Sequence, residues 1–145
     1  MSKSTNNTVL IQDKVLEIYK ANNAIMLATK GGEYSPWILG AYFGSNKFLI
    51  YLFLETQGKS YGNIKIDDTV AISISKNDAM QDFLQGYGKA VILDDSEEEN
   101  VRNILLEKMP WFQTYTPVSP VRIDIKKFFV TSLQDKWFPA KVLEM

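Results

Sequence analysis

Apolar residues recur at helical spacing near the start of the chain and at strand-like spacing over most of the remainder. The helical spacing predicts a first helix from Thr8 to about Lys20, ended by the pair Asn22 and Asn23. Its expected buried stripe consists of Ile11, Val15, Ile18 and Tyr19. Residues 1–7 are polar, and we expect them to be frayed.

Six apolar runs bounded by turn-forming residues predict β-strands. They span residues 24–29, 37–43, 48–54, 69–75, 83–93 and 121–132. Short connections between most of them indicate a mainly antiparallel sheet. The run 48–54 is apolar throughout, which is typical of a strand buried on both faces, inside a barrel or at an interface. The pattern therefore predicts a mainly β chain, folded as a six-stranded barrel rather than an open sheet.

Two further helices and two glycines complete the predicted elements. A short helix is expected over residues 59–66, and a capping box with Ser96 as N-cap and Glu99 predicts a helix to about Lys108. Gly86 and Gly88 predict a bulge or a sharp bend in the fifth strand. We expect residues 1–145 to form one domain, with residues 133–145 as a C-terminal tail.

Composition excludes several functional classes. The chain has no Cys and no His, which removes disulfides, Ser-His-Asp triads and the commonest metal ligands, so no metal site is expected. Sixteen basic and 17 acidic residues give a net charge of −1, which argues against a nucleic-acid surface. No apolar run is long enough for a membrane span, and the N-terminus is too polar for a signal peptide. A cytoplasmic location without membrane partners is expected.

The most informative segment is the stretch 56–64, because it joins the third strand to the short helix. Thr56, Gly58, Lys59 and Ser60 stand at the predicted helix start. Free backbone N–H groups and the positive end of the helix dipole favour an anion at such a position. A lysine opposes that dipole, so its presence favours an anionic partner such as a phosphate. Thr56 and Ser60 have the alternative interpretation of simple caps.

In their order, several motifs resemble the FMN-binding split barrels related to pyridoxamine 5'-phosphate oxidase. They are IMLAT at 25–29, PWILGAYF at 36–43, TQGKS at 56–60, DDTVAISI at 67–74 and LQGYGKA at 84–90. The resemblance covers roughly residues 10–132. It implies a six-stranded antiparallel split β-barrel and a homodimer with FMN, its cofactor, at the subunit interface.

The resemblance also implies where the cofactor would lie. The phosphate would sit where the third strand meets the short helix, and the flavin ring along the second strand. The cofactor-binding residues expected on this basis are Thr56, Gln57, Lys59, Ser60, Ala41, Tyr42, Gln85 and Trp137. Three of them have plain structural alternatives: Tyr42 as a half-buried core residue, Gln85 as a satisfied edge residue, and Trp137 as a plug or a dimer contact.

Departures from the family pattern limit what the resemblance implies about activity. Gly58 stands where the family often has an arginine, and the second strand is apolar apart from Tyr42. Without a histidine, neither pyridoxamine phosphate oxidation nor haem degradation is expected. The sequence favours a flavin-dependent oxidoreductase whose catalytic residues are not identified. The alternatives are a non-catalytic flavin-binding or dimerisation module, and a deazaflavin in place of FMN.

Overall fold

A computed structural model describes the backbone of residues 3–145 and the side chains of residues 7–145. The helices in this part of the chain are α1 (Lys3–Ala21), α2 (Lys59–Ile66) and α3 (Glu98–Lys108). The strands are β1 (Ala24–Lys30), β2 (Trp37–Tyr42), β3 (Gly44–Asn46), β4 (Leu49–Glu55), β5 (Asp67–Ile74), β6 (Phe83–Ile92), β7 (Val118–Ser132) and β8 (Trp137–Glu144). No helix among the described residues is long and apolar enough to cross a membrane.

The strands form one antiparallel sheet in the order β2-β1-β5-β6-β7-β4-β3, with β8 paired to β7. The sheet curls until β2, at one edge, approaches β4, next to the other edge. This arrangement confirms the predicted antiparallel split barrel. The described residues contain eight strands instead of six, because β3 forms between the second and third predicted strands and β8 occupies the predicted tail.

The main core fills the inside of the curled sheet, which α1 covers. The stripe predicted for α1 is confirmed, since Ile11, Val15, Ile18 and Tyr19 are all buried in this core. The helix begins at Lys3, five residues before the predicted start at Thr8. Of the segment expected to be frayed, residues 3–7 belong to α1, and residues 1 and 2 lie outside the described part of the chain.

Strand β4 is buried on both faces by its own chain. Ile50, Leu52 and Leu54 face the main core. Phe53 faces a second cluster beneath α3, formed with Val101, Leu105, Met109 and Phe112. The two-sided apolar pattern of 48–54 therefore needs no partner subunit to explain it.

The predicted fifth strand, β6, meets a bulge between Tyr87 and Gly88, but the extra residue belongs to its partner β7 and not to β6 as predicted. Tyr87 pairs with Lys127 and Gly88 with Ile125, so Lys126 is the extra residue on β7. A Cβ at Gly88 would lie 2.0 Å from the carbonyl oxygen of Asp124, so the close approach of the strands requires glycine there. The glycine thus allows the sheet to bend at this point.

The capping box predicted for α3 is wrong, because the N-cap of α3 is Glu97, which makes no side-chain cap hydrogen bond. Asp94 instead caps the turn before the helix, and its carboxylate accepts from the Ser96 amide at 2.9 Å. Hydrogen bonds from Ser96 hold the pKa of Asp94 below its ordinary value. Because this contact starts a short 3-10 turn at Asp95–Glu97, α3 itself begins only at Glu98.

Candidate functional site

A groove of about 440 Å³ lies where the sheet is split. One side is β2, from Trp37 to Tyr42, and the floor is the end of β4 with the first turn of α2. The segment from Phe112 to Val118 forms the opposite side. This volume falls within the ~300–1,000 Å³ typical of sites for small molecules and cofactors.

The start of α2 leaves polar groups without partners at the floor of this groove. Gly58 is the N-cap residue and offers no side-chain cap. Ser60 is only 2% exposed, and its hydroxyl is the one buried side-chain polar atom without a hydrogen-bond partner among the described residues. A buried hydroxyl normally finds a partner, so its isolation inside a groove points to a ligand.

Lys59 brings a positive charge to the same end of the groove. Its Nζ lies 5.0 Å from the centre of the Tyr34 ring and 5.3 Å from that of the Trp37 ring. Within the described residues these two ring contacts are its interactions, and no carboxylate neutralises it. The Lys59 charge is therefore available to an anion.

Asn63, one turn after Lys59, fixes α2 against the loop before β2. Asn63 is 2% exposed, and its side-chain amide donates to Thr29 Oγ1 at 3.0 Å and to the Tyr34 carbonyl at 2.8 Å. A Cβ at Gly32 would lie 2.1 Å from Asn63 Oδ1, so only glycine permits this approach. The loop and the helix start are thereby held as one unit.

Aromatic side chains build the side of the groove that faces β2. Phe112 stacks on Phe53 with ring centres 6.0 Å apart, and Tyr42 meets Trp111 edge-on at 4.9 Å. Arg102 of α3 lies 4.7 Å over the Phe53 ring and donates to Thr114 Oγ1 at 3.1 Å. These contacts fix the position of the segment that follows α3, so the apolar side of the groove is largely preformed.

Four of the eight residues predicted to bind a cofactor line the groove: Ala41, Tyr42, Lys59 and Ser60. Thr56 and Gln57 lie in the turn before α2 and do not line it; the Thr56 hydroxyl donates to the Pro117 carbonyl at 3.3 Å. The interpretation of Thr56 as a helix cap is wrong, because Gly58 holds that position.

The other two predicted residues lie on different parts of the sheet. Gln85 is exposed on the outer face of β6, between Ser73 of β5 and Phe129 of β7. Trp137 begins β8 and packs against the main core, with the ammonium groups of Lys14 and Lys141 over its ring. Neither lines the groove of its own chain. Their assignment to a cofactor stays a prediction.

No group of three or more carboxylate, His or Cys side chains among the described residues could hold a metal ion. The groove therefore brings together the Lys59 ammonium, the buried Ser60 hydroxyl and aromatic surface around a helix start, with Glu55 as the one carboxylate among its lining residues. This combination suits a ligand with an anionic end and a flat apolar body.

No protein-family profile matches the sequence, and no curated protein matches it. Solved structures do match. A heme binding protein from Mycobacterium smegmatis superposes with a TM-score of 0.74 at 15% identity, over 92% of this chain and 57% of that chain. ChuZ from Campylobacter jejuni gives 0.76 at 15% identity, over 92% and 59%. A candidate pyridoxamine 5'-phosphate oxidase from Listeria innocua gives 0.68 at 18% identity, over 83% and 97%.

The chain has the split-barrel fold of the pyridoxamine 5'-phosphate oxidase-related proteins. The chain spans less than two thirds of the length of the first and second of these structures. At identities of 15–18% the likeness concerns the fold alone.

Within this split barrel, sequence reasoning missed the residues that come from far along the chain. Trp37 and the segment from Phe112 to Thr116 line the groove but were not among the predicted site residues. Two adjacent aromatic residues, Trp111 and Phe112, are a partial signal for this side of the groove. Phe112 packs into the second core cluster and also lines the groove.

Proposed function

We propose that this split barrel binds FMN non-covalently in the groove, with the phosphate at the start of α2. The observation that carries this proposal is the buried Ser60 hydroxyl, which has no partner within the described residues and lies beside the unneutralised Lys59. A phosphate at a helix N-terminus accepts from backbone N–H groups and is favoured by the helix dipole. The residues present thus fit the phosphate end of FMN.

Each part of the groove has a separate task in this proposal. Lys59 supplies the charge, and the Ser60 hydroxyl donates to a phosphate oxygen. Ala41 and Tyr42 of β2, with the aromatic side opposite, hold the flat ring and exclude water from it. When bound, the flavin supplies the redox chemistry of an oxidoreductase, while the protein supplies binding and electrostatics.

Heme is the competing ligand, because two of the similar structures are named as heme proteins: the heme binding protein from Mycobacterium smegmatis and the heme storage protein HutZ from Vibrio cholerae. This chain has no His and no Cys, which are common axial ligands of heme iron. A free hydroxyl and a lysine at a helix start also suit a phosphate better than an iron centre. We therefore favour FMN, and we include heme as an arm of the test.

A homodimer belongs to the same proposal, and its support comes from the outer face of the sheet. One row of paired residues crosses that face: Gly40, Met26, Ser73, Gln85, Phe129 and Val142. Beside it, Ile38 is 61% and Tyr87 45% exposed. Exposed apolar side chains on one sheet face, here Met26, Ile38, Tyr87 and Val142, are typical of an interface. Sedimentation velocity at two protein concentrations measures the oligomeric state, and a monomer at both would contradict the dimer.

The test of the ligand begins with the visible spectrum of freshly purified protein, followed by titration with FMN, riboflavin and heme. We expect FMN to bind more tightly than riboflavin, and heme not to compete. Lys59→Ala should weaken FMN roughly 10- to 100-fold, because a hydrogen bond to a charged group contributes ~1.5–3 kcal/mol. Riboflavin, which lacks the phosphate, should be nearly unaffected.

Lys65→Ala is the matched control, since Lys65 lies in the last turn of the same helix and does not line the groove. It should leave both affinities unchanged. Equal loss of FMN and riboflavin affinity in Lys59→Ala would refute the phosphate assignment. No FMN binding by the unaltered protein would refute the cofactor itself.

The second candidate is a non-catalytic flavin-binding module. It is favoured by the composition of β2, where the side chains at 38–41 are aliphatic or absent and offer no acid or base. A steady-state assay of the FMN-loaded protein with NADH and NADPH separates the two candidates. Turnover supports the oxidoreductase, whereas bound flavin without turnover supports the module. Competition with a deazaflavin tests the remaining choice of cofactor.

A further inference from the structure

We propose that Tyr34 and Trp37 are positioning residues, which hold the Lys59 ammonium at the groove for the phosphate of the ligand. Their ring centres lie 5.0 and 5.3 Å from Lys59 Nζ. The two rings meet each other edge-on, 6.1 Å apart at 65°. We call these two residues the aromatic pair. This inference rests on the proposed binding of FMN, and it concerns how the site gains affinity for that phosphate.

Both rings lie within the distance at which an ammonium is attracted to an aromatic face. Lysine has a long flexible stem, and holding its head in one place costs side-chain entropy. Because α2 carries no carboxylate in its first turn, no ion pair of that turn restrains Lys59. The aromatic pair restrains the head without neutralising its charge, as a carboxylate would.

The aromatic pair is itself held from α2. Asn63 donates to the carbonyl of Tyr34, so the residue that carries one ring is tied to the helix that carries Lys59. Trp37 is the first residue of β2 and is fixed by pairing with Thr29 of β1. The backbone that carries each ring is therefore fixed by hydrogen bonds and strand pairing that do not involve the lysine.

The direction of the effect follows from which residues line the groove. Lys59 and Trp37 both line it, so the ammonium held by the aromatic pair is already at the ligand site. Tyr34 does not line it, so its ring acts on a bound ligand through Lys59. The arrangement prepares the lysine for binding rather than withdrawing it.

Tyr34 gives the sharper test, because it is 49% exposed and its substitution leaves the hydrogen bond from Asn63 to its backbone carbonyl intact. Tyr34→Leu removes the ring, and Tyr34→Phe keeps it. We expect Tyr34→Leu to weaken FMN ~2- to 5-fold, the range of one exposed cation–π contact. Tyr34→Phe should restore the affinity, and riboflavin should bind all three proteins equally.

A double-mutant cycle excludes a general structural effect. In a Lys59→Met background, Tyr34→Leu should change FMN affinity by less than 1.5-fold, because the cation is gone. Trp37→Leu should behave in the same way toward FMN, with some loss of riboflavin since Trp37 also lines the groove. Fluorescence or visible titrations with FMN and riboflavin provide all of these constants.

The outcomes separate this inference from the proposed function. If the unaltered protein does not bind FMN, the proposed function fails. If it binds FMN and Tyr34→Leu has no effect, weakens riboflavin equally, or acts unchanged in the Lys59→Met background, the positioning role fails while the site stands. Tighter FMN binding by Tyr34→Leu would also overturn the inference, because it would mean that the aromatic pair withdraws Lys59 from the ligand.

Discussion

Replacement of Ser60 by alanine should stabilise the ligand-free chain while weakening the ligand. The Ser60 hydroxyl is buried, with 2% of the residue exposed, and it has no partner among the described residues. Leaving such a group unpaired costs ~1–3 kcal/mol by protein mutational data. Alanine is also a better helix former by several tenths of a kcal/mol. We therefore expect Ser60→Ala to raise the free energy of unfolding by about 1–2 kcal/mol without ligand.

Urea denaturation of the ligand-free proteins, followed by far-UV circular dichroism, measures this difference. Ser132→Ala is the matched control, because Ser132 is equally buried but its hydroxyl accepts from the Asp135 amide at 3.2 Å. Removing that partnered hydroxyl should cost about 1 kcal/mol. The two substitutions delete the same atom from two buried sites, and they should shift the urea midpoint in opposite directions.

FMN should reverse the order of stability of Ser60→Ala and the unaltered protein. Ligand binding stabilises the native chain by RT ln(1 + [L]/Kd), so the protein with the better site gains more at a fixed FMN concentration. We expect unaltered protein to overtake Ser60→Ala as FMN is added. Loss of 1 kcal/mol or more by Ser60→Ala in the absence of FMN would refute the reasoning, since it would show that the hydroxyl has a partner within the chain.

Three further predictions concern the frame around the groove. Asn63→Leu should lower the free energy of unfolding by about 2 kcal/mol or more in urea denaturation, because one buried and one part-buried hydrogen bond are lost. Asn100→Leu, at an exposed position, should change stability by less than ~0.5 kcal/mol, and equal effects of the two substitutions would contradict the role of Asn63. Gly88→Ala should lower the thermal midpoint, since its Cβ would meet backbone atoms of Asp124 and Ile125 at 2.0 and 2.8 Å; an unchanged midpoint would mean that the bulge moves freely. Burial lowers the pKa of Lys108 from 10.5 to about 8. Between these two pH values the unfolded chain holds a proton on Lys108 that the folded chain has lost. The stability of the unaltered protein relative to Lys108→Met should therefore rise with pH. Urea midpoints of both proteins from pH 7 to 10 measure this, and a difference between them that does not change with pH would contradict it.

Elements with a strong local pattern could be predicted from the sequence, and elements that depend on a distant partner could not. The bounds of α2 match the predicted 59–66, because the end of β4 and a short turn come directly before this helix. Strand β8, in contrast, contains Pro139 and alternates weakly. It forms because β7 extends to Ser132 and offers an edge along which residues up to Glu144 can pair. The local sequence of residues 137–144 does not predict that such an edge is available.

The candidate site also contains residues predictable from the local sequence and residues that depend on distant parts of the chain. Lys59 and Ser60 were predicted because the strand, the turn and the helix start that define an anion site are consecutive in sequence. Tyr34 and Phe112 act on the same groove from 25 residues before Lys59 and 52 residues after Ser60. Only the curl of the sheet brings them together. A motif thus predicts the charged end of this groove, while its apolar sides follow from the topology.

The outer face of the sheet, and not strand β4, supports the proposed dimer. Strand β4 is buried by two cores of its own chain, so its apolar pattern says nothing about a partner. In the proposed dimer, a second chain covers the row of residues that crosses the outer face, and Gln85 lies in this row between Ser73 and Phe129. A second chain that covered this row would bury the Gln85 amide, which then needs a hydrogen-bond partner. A flavin carbonyl or a backbone group of the second chain can supply it. The prediction for Gln85 therefore depends on the dimer: Gln85→Ala should weaken flavin binding only if sedimentation shows a dimer.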